Sequence, residues 1–113
     1  MNKEIIKTDK APAPIGPYNQ AVKTGNMVFI SGQIAINPAT GELETGDLET
    51  ETKLVMENLK AILAEANCTF ENVIKTSIFI SDMNNFGKIN EIYGTYFEAA
   101  TAPARETTGE KAA

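Results

Sequence analysis

A chain of 113 residues and 12.2 kDa carries enough apolar surface for one core and none for a second, so residues 1–113 are expected to form a single domain. With 42% hydrophobic and 22% charged residues it has the balance of a folded globular protein, which excludes disordered and fibrous classes. A formal charge of -5 and a sequence pI near 4.7 argue against nucleic acid as a partner, since phosphate binding needs clustered Lys and Arg, and against a membrane surface.

The first predicted elements are short extended segments at Glu4-Ile6 and Asn19-Lys23. The first is followed by Ala11-Pro12-Ala13-Pro14-Ile15-Gly16-Pro17, which is too rich in proline for helix and reads as an ordered loop. Gly25-Asn26 supplies the positive backbone angles of a tight hairpin turn into a strand at Met27-Ser31. Asn37 to Glu42 form the next turn, with proline early and glycine late. After Asp47, a plausible N-cap, Leu48, Val55, Leu59, Ile62, Leu63 and Ala66 recur at helical spacing, and Asn67 can end this helix in a left-handed conformation. Val73 to Ser81 is rich in β-branched residues and predicts a strand. Phe86, Ile89, Ile92, Tyr93, Tyr96 and Phe97 predict a second helix to about Ala100.

Strands, helix, strand, helix and a tail returning to the sheet make an α+β domain with two helices packed on one face of a mixed sheet. Both 27–31 and 73–81 carry bulky apolar residues on alternate faces: Val28 and Ile30 against Met27 and Phe29, and Ile74, Ile78 and Ile80 against Val73 and Phe79. Two helices cover one face only, so the other predicts a homo-oligomer. A loop such as 10–18 folded over that face is the alternative.

The start from Met1 to Lys7 lacks the apolar stretch of a signal peptide, and no later run is long enough to span a bilayer, so the expected location is cytoplasmic. The lone Cys68 allows no intrachain disulfide. Without histidine, neither a Cys/His zinc site nor an imidazole-based triad can be built, so no metal is expected. Catalysis is left to carboxylates, tyrosines, hydroxyls, lysines, held water and the one arginine, Arg105.

Ile15-Gly16-Pro17-Tyr18-Asn19-Gln20-Ala21, Ser31-Gly32-Gln33-Ile34, Asn37-Pro38, Thr40-Gly41, Asn58-Leu59-Lys60-Ala61-Ile62-Leu63, Asp82-Met83-Asn84-Asn85-Phe86, Asn90, Tyr93 and Ala102-Pro103-Ala104-Arg105 follow one another at intervals that are specific as a set. In them the chain resembles the Rid (YjgF-like) family of enamine/imine deaminases. The resemblance implies a chorismate-mutase-like fold assembled as a homotrimer, with clefts between subunits. It also implies hydrolysis of imine and enamine carboxylates such as 2-aminoacrylate to 2-oxo acids and ammonia, without a cofactor.

Carried over residue by residue, the resemblance makes Arg105 the group that grips the substrate carboxylate, a task suited to a planar guanidinium and not to lysine. Tyr18 becomes the active-site tyrosine, and Ser31, Gly32 and Asn90 line the cleft. Thr107 stands where relatives carry an active-site cysteine, so it falls in the binding site, while Cys68 reads as structural. After Arg105 the chain departs from the family pattern: Thr108-Gly109 is a poor opening for a strand, and the family's last strand, with its catalytic glutamate, is missing. Neither Glu106 nor Glu110 takes that role. Two further readings remain: a non-catalytic carboxylate-binding or chaperone-like trimer, and an RNA-cleaving translation inhibitor, which would need a basic groove that this acidic chain lacks.

Overall fold

The computed structural model describes residues 2–109. Strands β1 (Glu4–Ile6), β2 (Ala21–Thr24) and β3 (Met27–Ile30) form an antiparallel sheet in that order. The β2–β3 turn falls at Gly25-Asn26 as predicted, but only Gly25, at φ 58°, takes a positive backbone angle; Asn26 does not. Helix α1 (Leu48–Glu65) follows, then β4 (Lys75–Ile80), helix α2 (Phe86–Gly94) and β5 (Ala104–Gly109). β4 and β5 pair in parallel, with α2 as their crossover.

Cross-strand register sorts the side chains. Ile6, Ala21 and Ile30 lie opposite one another on one face, and Ile5, Val22 and Phe29 on the other. The first set joins Ile62 of α1 and Ala11 of the proline-rich loop in the core, with Val28, Ala61 and Ala66 packed against it. Ile62 is 0% exposed, and burying such a side chain stabilises by roughly 1.5–3 kcal/mol. α1 thus covers the antiparallel sheet, while α2 sends Tyr93 to Thr76 of β4; the two helices also pack on each other. The opposite face remains open, with Phe29 58% and Phe79 67% exposed. The loop 10–18 does not cover it. Instead Ala11 turns into the core and Gln20 ties the loop down: its Nε2 donates to the carbonyls of Thr8, Ala11 and Pro12, and its Oε1 accepts from Thr8 N.

Several expectations are corrected. The strands fall into two hydrogen-bonded groups, not one mixed sheet, because among the described residues no ladder joins β3 to β4. Ile74 does not share the buried face of Ile78 and Ile80; it precedes the ladder and is 73% exposed. α2 ends at Gly94 and not near Ala100, because the Thr95 hydroxyl donates to the Ile92 carbonyl and the chain tightens into three-residue turns. Tyr96 and Phe97 then pack edge-on against Phe70, 5.3 and 5.2 Å between centroids, instead of extending the helix. Thr108 and Gly109 do belong to a strand. It opens at Ala104, and its six register pairs with β4 carry it to Gly109, beside which the Met83 side chain occupies the space a Cβ would need. Residues 110–113, including Glu110 and any last strand, lie outside the described part.

Candidate active site

Arg105 lies on β5 directly across from Thr76 of β4, on the face turned toward α2. On that helix Phe86, Asn90 and Tyr93 are spaced by four and three residues, which puts them on one side. All three meet the guanidinium. Nη1 donates to Asn90 Oδ1 at 2.6 Å, and Cζ lies 5.0 Å from the Tyr93 ring centroid and 5.7 Å from that of Phe86. The Tyr93 hydroxyl is 2.8 Å from Thr76 Oγ1, and its ring packs on Phe97 at 4.7 Å.

Among the described residues the only ion pairs are Lys53–Glu49 and Lys75–Glu106. Arg105 is half-buried, always charged, and held by an amide oxygen and two aromatic faces, with no carboxylate partner among the described residues. Neutral partners of this kind orient a guanidinium without discharging its field, and only one of its five N–H groups is used by Asn90.

Thr107 follows on the same face of β5 as Arg105, and its Oγ1 is buried without a hydrogen-bond partner among the described residues. Tyr18, Ser31 and Gly32 come together elsewhere, where the proline-rich loop enters β2 and β3 ends. Ser31 Oγ donates to the Asn19 carbonyl at 2.6 Å, and Ser31 N to the Gln20 carbonyl at 2.9 Å. Tyr18 is exposed, its hydroxyl accepting only a 3.4 Å contact from Ile15 N. A Cβ added at Gly32 would meet nothing within 4 Å. No hydrogen bond links this group to the Arg105 group among the described residues. The expected site residues thus fall into two groups, one around Arg105 and one around Ser31. Cys68 belongs to neither; it sits past the end of α1, its Sγ 3.5 Å from the Ala66 carbonyl.

The sequence reading missed how Arg105 is held. Tyr93 and Phe86 entered it as helix-face residues and Thr76 as part of a strand; the signal available was the 86, 90, 93 spacing, together with an aromatic face for the single arginine. Among the described residues no group of acidic residues and cysteine is placed to hold a metal ion, and no helix is long and apolar enough to cross a membrane.

Comparison with known proteins decides the family. The model of the family described as Endoribonuclease L-PSP matches residues 8–113. A solved Yersinia pestis protein of the conserved Rid family superposes with a TM-score of 0.95 at 42% identity, over 99% of this chain and 89% of that one. The chain belongs to the Rid (YjgF-like) family. Within it, the mouse protein named 2-iminobutanoate/2-iminopropanoate deaminase is 48% identical over 103 residues, 91% of this chain and 76% of the mouse protein. Escherichia coli TdcF, solved with bound serine, has a TM-score of 0.87 at 42% identity, over 95% of this chain and 85% of that one. The α+β domain with two helices is the fold of this family.

Proposed function

We propose that this Rid protein is a 2-iminobutanoate/2-iminopropanoate deaminase, hydrolysing imines and enamines such as 2-aminoacrylate to 2-oxo acids and ammonia. The observation that carries the reading is the half-buried Arg105, held by Asn90, Tyr93 and Phe86 with no carboxylate partner among the described residues. Such a group suits a small acid brought in as ligand, through two parallel N–H···O bonds. The mouse deaminase lends support, as does the amino acid bound to TdcF.

The chemistry asks little of the protein. An enamine takes up a proton at carbon to become a protonated imine, whose carbon is already electrophilic. Water adds there, one of its protons moves from oxygen to nitrogen, and ammonia leaves as the C–N bond breaks, the oxygen forming C=O as it releases its other proton to solvent. Fixing the carboxylate places the imine carbon relative to a held water, and orientation of this kind is a recognised source of rate. Tyr18 and Ser31 carry the hydroxyls suited to position the water or the amino group, Gly32 leaves room for the ligand, and Thr107 lies two residues beyond Arg105 on the same face of β5. No residue is assigned the role of the family's glutamate.

The working unit in this reading is a homotrimer, the assembly that the Rid resemblance implies, in which the open sheet face is buried and the Tyr18–Ser31 group of one subunit meets Arg105 of its neighbour. The setting is cytoplasmic, and the partner is a small imine or enamine carboxylate, not nucleic acid. The test generates 2-iminobutanoate in situ from 2-aminobutanoate with an amino-acid oxidase and follows 2-oxobutanoate, with RNA incubated in parallel. Faster release of the 2-oxo acid with intact RNA is expected. RNA cleavage without acceleration would favour the nuclease reading, and binding of 2-oxobutanoate without turnover a binding role.

A further inference from the structure

Arg105 is held by more than the residue it bonds. Thr76 lies directly across the β4–β5 ladder from Arg105, and its Oγ1 is 2.8 Å from the hydroxyl of Tyr93, over whose ring the guanidinium carbon sits at 5.0 Å. A path therefore runs from the Arg105 backbone across the ladder to Thr76, through the Tyr93 ring, and back to the Arg105 side chain. Thr76 is β-branched and sits on a strand, so its hydroxyl has few directions open to it. Tyr93 is 8% exposed and packs on Phe97, leaving its ring little freedom to tilt. Asn90, one helical turn before Tyr93, bonds Nη1 in the guanidinium plane. The ring restrains the plane and Asn90 restrains rotation within it.

Core packing alone accounts for the ring of Tyr93 but not for its hydroxyl, since phenylalanine would fill the same space without a buried group to satisfy. We propose that Tyr93 and Thr76 are positioning residues for Arg105, together setting the plane of the guanidinium so that it presents a fixed two-pronged face to a flat carboxylate. The proposal rests on the reading that Arg105 holds the substrate carboxylate. It makes the Tyr93–Thr76 pair a determinant of specificity for a carboxylate over a neutral group of the same shape.

The test measures dissociation constants by NMR titration for 2-oxobutanoate and for the uncharged 2-oxobutanamide, in wild type, Tyr93→Phe, Thr76→Val, the double variant and Arg105→Lys. All proteins are compared at the same verified oligomeric state. Tyr93→Phe and Thr76→Val each remove one hydrogen bond and keep the shape, so each is expected to weaken 2-oxobutanoate by about 5-fold, the equivalent of a single such bond. The amide should be unaffected. The double variant should be no weaker than the worse single variant, and Thr76→Ser, which keeps the hydroxyl but not the β-branch that limits its directions, should fall between wild type and Thr76→Val. In the deaminase assay the same loss should appear in KM, with kcat little changed. If both single variants keep carboxylate affinity within about 2-fold of wild type while Arg105→Lys loses it, the pair only packs the core and the proposal is overturned. If Arg105→Lys binds 2-oxobutanoate as wild type does, the charge alone suffices and the proposal is overturned; if Arg105→Ala, measured the same way, binds it as wild type does, the carboxylate reading itself falls.

Discussion

Asn90 Oδ1 accepts from Arg105 Nη1 at 2.6 Å, and no carboxylate competes for the guanidinium among the described residues. Lysine at this position would keep the charge but lose the planar fork, so Arg105→Lys is expected to lower kcat/KM for an imino acid by about 10- to 100-fold, the range for charge-assisted hydrogen bonds. Unchanged kinetics would show that the charge alone suffices. Tyr96 makes a second prediction. Burial first, then the hydrogen bond its hydroxyl donates to Glu57 and the charge of that carboxylate, push its pKa from 10.0 up to about 12. The folded value is the higher one, so this contribution to stability is complete below the unfolded pKa of 10.0 and is lost as pH rises from there through about 12. Ultraviolet titration should find Tyr96 ionising at about 12, and Glu57→Gln should bring it back toward its ordinary value.

At the scale of elements, what was legible depended on how far away the deciding partner lies. Both ends of α1 were readable because their signals are local: Asp47 accepts from Thr50 N and Oγ1 at 3.0 and 2.8 Å, and Asn67 takes φ 61°. The hydrogen bond from the Thr50 side chain, followed by that from its backbone N–H, holds the Asp47 carboxyl below its ordinary value of 3.8. Here the folded value is the lower one, so the cap's contribution is present above 3.8 and is lost as pH falls through the folded pKa. Asp47→Ala should accordingly lower Tm at pH 7, with the gap to wild type closing in acid below 3.8; a gap that persisted there would assign the effect to helix propensity. The end of α2 was misread because Tyr96 and Phe97 keep the helical rhythm but spend it on Phe70. β5 was undervalued at Thr108-Gly109 because its support comes from β4, nearly thirty residues earlier. Gln20 and Asn58 stand in the family pattern without an assigned role, and both are buried and pin loops: Asn58 Nδ2 donates to the carbonyls of Ile34 and Ile36. Arg105 and Asn90 could be nominated from the family pattern, while the ring that holds the guanidinium became evident only with α2 packed over β5.

For the whole molecule, the open face is the feature that a single chain leaves unexplained. Ile5 and Phe29 project from it on strands whose other face is buried, and Met27 and Phe79 are exposed as well. Water-exposed apolar surface of this kind is disfavoured, and in the proposed homotrimer it is buried between subunits, where the Tyr18–Ser31 group would meet Arg105 of a neighbour. Phe29→Lys places a charge in that face and should yield monomers in sedimentation, with loss of deaminase activity although Arg105 is untouched. A trimer that survives the substitution would put the interface elsewhere. The central claim, that Arg105 directs hydrolysis of an imino acid, is tested most directly by following 2-oxo acid and ammonia released from 2-aminoacrylate generated in situ, for wild type and Arg105→Ala at equal oligomeric state. The account predicts release of both products in equal amounts, faster than in buffer and falling to the buffer rate in the variant. Acceleration that survives in Arg105→Ala, or none from properly assembled wild type, would contradict it.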